Sequence, residues 1–350
     1  MNERVLTTRD LNRALLARQL LLERSRLPLT TVVERVGGLQ TQYAPSPYVA
    51  LWSRMHAFRR DALTKALEQR RIVQGTMMRV TIHMASARDF PLFIAGVKRS
   101  RQEWWLRTHR KEVEGLDMEA VSARIREHLK DGPARAQRLV ELLRDDGFPS
   151  VAWSGAGLWV ELVRVPPSGT WEQRRADLYG LAEQWVGPSA ATETEGLEHL
   201  VRRYLGGFGP AAPTEVASWA GLPVTAVRPV MERLPLRRFR SEEGKVLFDL
   251  PRAPLPGEDA PTPVRFLPTW EAALLIHARR TQILPERHRG AVFSIDTPHS
   301  LSTFLVDGAV AGSWHYDKKR IRLEPFEPLP QRVRRELEDE AKGLAAFHEG

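Results

Sequence analysis

Apolar positions fall at helical spacing from the start of the chain. Leu11, Leu15, Leu16 and Ala17 follow Thr7-Thr8-Arg9-Asp10, where a threonine three residues ahead of an acid predicts a capping box. Thr31-Val32-Val33-Glu34 predicts a second box and a short helix. Gly37-Gly38 would close it, because glycine accepts the left-handed conformation at a helix end. Helices are also expected over 46–55 and 61–69. The pattern then switches to β-formers over 71–85, with Gly75 as a possible bend, and this predicts the two strands of a hairpin. Ser86-Ala87-Arg88-Asp89 opens a longer helix that runs into the basic, aromatic stretch 97–111.

The middle of the chain carries a weak internal repeat. Helices are expected over 118–129, from Gly132-Pro133-Ala134 to 143, and over 155–165, with a short hairpin near Thr170 and Leu178. Beyond Thr192 come helices over 196–205, 213–220 and 224–234, and a hairpin of 236–240 with 245–250 turning at Glu243-Gly244. The two Gly-Pro-Ala triplets lie 77 residues apart. Three helices followed by a hairpin is the winged-helix order, and the N-terminal segment ends the same way. Pro, Gly, Asp and Glu crowd 251–263 and mark a linker. After it, 264–267, 291–295, 303–306 and 310–316 alternate like strands, with a turn at Val306-Asp307-Gly308-Ala309 and a closing helix over 329–347. The expected fold is mainly α with β. Three tandem winged-helix units (1–112, 113–190 and 191–255) would precede a small C-terminal β-barrel with its closing helix (256–350).

Composition narrows the chemistry. The 350 residues contain no cysteine, which excludes disulfides, thiolate metal sites and cysteine nucleophiles. No apolar run approaches membrane-helix length, and the mixed-charge start has no signal-peptide core. A cytoplasmic, nucleoid-associated protein is the expectation. The net charge is +9, and eight lysines leave 44 arginines among the 52 basic residues. That excess favours a polyanionic partner, and arginine suits bidentate phosphate contacts, although GC-rich codons would also enrich it. His277, His288 and His315 are scattered without metal spacing, so neither metal nor cofactor is expected.

The most unusual segment is Leu39-Gln40-Thr41-Gln42-Tyr43. In an extended chain, residues two apart point the same way. Each carboxamide offers two donors and an acceptor, so a pair can fix one water. No aspartate or glutamate falls within 35–58, so phosphate would not be repelled there. Two solvated loop glutamines is the plain alternative.

Gly37-Gly38-Leu39-Gln40-Thr41-Gln42, followed by Pro47-Tyr48-Val49-Ala50-Leu51-Trp52-Ser53-Arg54, resembles the core signature of the winged-helix DNA glycosylases of the AlkZ-like family. Thr81-Ile82-His83, Phe266-Leu267-Pro268-Thr269-Trp270, Ala278-Arg279-Arg280, Phe304-Leu305-Val306-Asp307-Gly308 and Gly312-Ser313-Trp314 extend the resemblance in the family's order over nearly the whole chain. It implies a monofunctional glycosylase that releases N7-alkylated purines, bulky adducts and crosslinks among them, from double-stranded DNA. It also implies that Gln40 and Gln42 are the catalytic pair. Thr41 stands where the family usually has an aliphatic residue, and Glu271 where an aspartate is common. Arg54, Arg79, Thr81 and His83 are the expected DNA-binding residues, and the expected state is a monomer. The rival readings are a non-catalytic winged-helix DNA-binding regulator and an RNA- or protein-binding module. Lys98, Arg99, Arg101, Arg107, Arg110 and Lys111 around Trp104-Trp105 suit either a phosphate-tracking helix or a solvated face over buried tryptophans.

Overall fold

The computed structural model describes residues 3–275, 281–293 and 300–350. Strand β1 (Val5–Leu6) leads into helix α1 (Thr8–Arg18). Thr7 and Asp10 cap α1 reciprocally. The Asp10 N–H donates to Thr7 Oγ1 at 3.0 Å, and the Thr7 N–H to Asp10 Oδ2 at 3.1 Å. Helix α2 (Leu29–Arg35) starts directly after Pro28, not at the expected Thr31 box. Gly37 and Gly38 lie at φ +80° and +83°, which turns the chain sharply into β2 (Leu39–Gln40). Helices α3 (Ser46–Arg54) and α4 (Arg60–Glu68), the hairpin β3 (Ile72–Thr76) and β4 (Ile82–Ser86), and the long helix α5 (Asp89–Thr108) complete the first third.

The next stretch runs α6 (Met118–Leu129), β5 (Ala134–Arg135), α7 (Ala136–Asp145), α8 (Val151–Trp159), β6 (Leu162–Arg164), β7 (Leu178–Leu181) and α9 (Ala182–Val186). The helix expected to reach 165 stops at Trp159, because residues 162–164 are needed as a strand. After it come α10 (Glu193–Phe208), α11 (Pro213–Ala220), α12 (Val224–Arg233), β8 (Arg237–Ser241) and β9 (Val246–Asp249). One pairing pattern recurs three times. A residue or short strand just past a helix pairs antiparallel with the second strand of the following hairpin. The pairs are β2 with β4, β5 with β7, and Ala211 with Phe248 of β9. The first two hairpins join through β3 and β6 into one six-stranded sheet of order β2-β4-β3-β6-β7-β5, whose two halves mirror each other.

The C-terminal part contains β10 (Arg265–Leu267), α13 (Ala272–Leu275), α14 (Glu286–Val292), β11 (Thr303–Val306), β12 (Ala309–Asp317), β13 (Arg320–Pro325) and α15 (Gln331–Glu349). The expected barrel is corrected here. The sheet is open, with order β10-β11-β12-β13, and its outer strands do not pair with each other. Its apolar side is closed by a helix instead. Leu337, Ala341, Leu344 and Phe347 of α15 enter the same core as Phe266, Phe304 and Trp314. The strand expected over 291–295 is also corrected. Residues up to Val292 belong to α14, and 294–295 lie outside the described residues, as do His277 and Ala278-Arg279-Arg280.

Helices α5 and α10 cross at two glycines. A Cβ on Gly196 would lie 2.2 Å from the Gly96 nitrogen, and one on Gly96 would lie 2.6 Å from the Gly196 carbonyl carbon. Backbone atoms cannot swing aside, so Gly196→Ala should destabilise by about 1–3 kcal/mol through overpacking. Helix propensity alone would favour alanine by about 1 kcal/mol, so the sign of the change in melting temperature is diagnostic. A stabilised variant would show that the helices separate freely.

Candidate active site

Gln40 pairs directly across the ladder with His83 of β4, so the two side chains share one face of the sheet. Gln40 is buried. Its Oε1 accepts from Arg79 Nη2 at 2.8 Å. The Thr41 N–H donates to the Ile82 carbonyl at 2.8 Å. The Ile82 N–H donates to the side-chain Oε1 of exposed Gln42, also at 2.8 Å, and the ladder ends there. Both donors are N–H groups, which fixes the orientation of each carboxamide: oxygen inward on the hairpin, nitrogen away from that contact. Thr41 points to the opposite face, buried, with its Oγ1 3.4 Å from Gln74 Nε2.

Three residues with strained backbone flank Gln40. Arg79 and Val80, in the turn joining β3 to β4, have φ of +53° and +58°, and Trp270 has +60°. Such conformations persist only where the surroundings impose them. Trp270, Glu271, Gln19 and Ser46 border a crevice beside Gln40 of about 10 Å³, room for about one water.

The four residues expected on DNA have other partners. The Arg79 guanidinium also donates to the Trp219 carbonyl, and burial pushes its pKa down to about 10. His83 is buried, and its Nδ1 lies 3.0 Å from the Thr81 carbonyl. A carbonyl only accepts, so Nδ1 carries the proton. Thr81 is half-buried, with its Oγ1 donating to the Met78 carbonyl at 3.0 Å. Arg54 is fully buried. It donates to Glu271 at 2.8 and 3.2 Å, to Gln19 Oε1 at 3.1 Å and to the Ala50 carbonyl at 3.1 Å. The Arg54 expectation is therefore corrected: a guanidinium in the interior, already paired, cannot reach a phosphate. Glu271, 217 positions from Arg54, also borders the crevice beside Gln40, a proximity that no local sequence pattern signals.

Burial, with the nearby Arg79 charge second, pushes the His83 pKa from 6.5 down to about 3. Between those values the unfolded chain binds the proton and the folded chain does not. His83 thus contributes stability above pH 6.5 that is lost as pH falls towards 3. His83→Leu should flatten that part of the acid-unfolding curve measured by circular dichroism. An unchanged acid limb would overturn the assignment.

In the basic stretch, Trp105 is buried and Trp104 is 43% exposed. Arg101 is buried against the Thr76 and Met77 carbonyls, so it belongs to the interior rather than to a phosphate-tracking face. Among the described residues no cluster of three metal-ligating side chains occurs, and no helix is long and apolar enough to cross a membrane.

A family model for "DNA glycosylase AlkZ-like" matches residues 33–347. The chain belongs to the AlkZ-like DNA glycosylase family. That span takes in the glutamine segment, the hairpin that holds it and the C-terminal sheet. Among solved structures, Streptomyces sahachiroi DNA glycosylase AlkZ is similar over 99% of this chain and 97% of that one, with a TM-score of 0.81 and 19% identity. At that identity the likeness is one of fold. A comparison with curated proteins gives no match. Membership of the AlkZ-like family makes DNA the expected partner.

Proposed function

We propose that this AlkZ-like protein is a monofunctional DNA glycosylase that hydrolyses the N-glycosidic bond of N7-alkylated purines in double-stranded DNA. Gln40 and Gln42 would be its catalytic pair. The observation that carries the reading is the anchoring of both carboxamides, oxygen first, on one short hairpin stretch from Arg79 to Ile82. The one-water crevice beside Gln40 supports it. Alkylation at N7 makes the base cationic. Breaking the bond from C1′ to N9 returns the electron pair to N9, and a neutral base departs. Water then forms the new bond at C1′ and loses its proton to solvent. So activated a bond needs little acid help. Two anchored carboxamides that place the water, each with an oxygen lone pair and N–H donors still to spare, are enough. Unmodified purines, with a poor leaving group, resist such a site. No lysine precedes Lys65 in the sequence, which disfavours a Schiff-base lyase step. In this reading the three helix–hairpin repeats are winged-helix units that hold the duplex as a monomer.

The test is incubation with duplexes bearing N7-methylguanine or an N7 interstrand crosslink, with detection of free base by mass spectrometry. Base release with an intact sugar–phosphate strand is the expected result. Salt-sensitive binding without release would favour the regulator reading.

A further inference from the structure

We propose that an aromatic cleft beside the glutamine segment binds a planar aromatic ring presented by damaged DNA, a substrate feature that rests on the glycosylase reading. The cleft measures about 300 Å³, the lower end for small-molecule sites. Trp171 and Trp314 line it and are each 6% exposed, whereas Tyr43 and Tyr316 are 43% and 37% exposed. Tyr316 stacks on His348, with centroids 4.4 Å apart and an interplanar angle of 15°. Two buried polar atoms here, Ser46 Oγ and His348 Nε2, have no hydrogen-bond partner among the described residues. Burial, then the charges of Arg60 and Arg174, lowers the His348 pKa to about 4, so the ring is neutral at physiological pH. A hydroxyl and a neutral imidazole suit the nitrogen- and oxygen-bearing edge of a heteroaromatic ring, and the exposed tyrosines suit its faces. The location is equally specific. Tyr43 follows Gln42 directly, and Ser46 and Pro268 border both this cleft and the crevice beside Gln40.

The ring could be a nucleobase swung out of the stack or an aromatic substituent carried on N7. Both are tested with unmodified, N7-methylguanine and N7-(naphthylmethyl)guanine duplexes. Binding is read by fluorescence anisotropy, for wild type and for Tyr43→Ala, Tyr316→Ala and the two Tyr→Phe variants. Affinity for damaged duplex should fall about 10-fold in the alanine variants and recover with phenylalanine, the scale of one lost stacking contact. A fall confined to the naphthyl duplex identifies the substituent as occupant. A fall on both damaged duplexes identifies the base. Alanine variants that melt normally and bind all three duplexes like wild type would overturn the proposal. So would phenylalanine variants that fail to recover. Anisotropy needs no bond cleavage, so a wild-type protein that released no base would refute the glycosylase reading while the cleft was still read.

Discussion

Replacing Gln40 or Gln42 by alanine lowers the single-turnover excision rate on N7-methylguanine DNA by about 10- to 1000-fold, the scale of one lost electrostatic or positioning contact. The double variant should fall little further, because two groups that orient one water act as a unit. DNA affinity, set by phosphate contacts elsewhere, should stay nearly constant. Gln42→Glu is the more informative change. It keeps the reach to the Ile82 N–H at 2.8 Å and adds a charge that strengthens both water activation and cation stabilisation. Some activity on simple lesions should survive or rise. Wild-type rates in the double alanine variant would remove the glutamines from the mechanism and move the weight to a DNA-binding regulator.

The largest stability effect is expected at Arg54. Arg54→Met leaves the Glu271 carboxylate, 4% exposed, without its cation, at a cost of about 3–5 kcal/mol. A melting temperature lower by roughly 10 °C would report it. Arg54→Met combined with Glu271→Leu should recover much of the loss, since an apolar pair escapes the unpaired-charge penalty. Below its melting temperature the single variant should bind DNA with the wild-type salt dependence. A salt slope smaller by about one would instead reveal a phosphate contact.

Arg54 also shows where sequence reading stops. The helix 46–54 was legible from Tyr48, Leu51 and Met55, but an arginine at its end looks the same whether it meets solvent or a carboxylate that folds in from 217 positions away. The first hairpin was legible because β-branched residues crowd 71–85. The Asp307-Gly308 turn was legible because both residues accept positive φ, observed at +46° and +78°. Barrel closure was not legible. It depends on whether β10 and β13 meet, which no local pattern encodes, and α15 covers that core instead. The apolar run 291–295 misled because a short apolar stretch suits a buried helix end as well as a strand. At the site, the glutamine pair stood out in sequence. The donors that orient it did not, because Arg79 read as a hairpin-tip cation aimed at DNA.

The seam between β3 and β6 constrains how the chain can be made. Gln74 pairs with Arg164 and Gly75 with Val163, ninety and eighty-eight positions later. Residues 105–160 in between supply most of an apolar cluster of their own, so they can begin to collapse while the first hairpin still waits for its neighbour. Throughout that interval of synthesis β3 is an open strand edge, with unpaired N–H and C=O groups able to template another chain. A message broken between codons 87 and 161 would therefore yield a sticky fragment rather than a smaller working protein. The edges of the finished sheet, β2 and β5, are two residues each, too short to offer the same invitation.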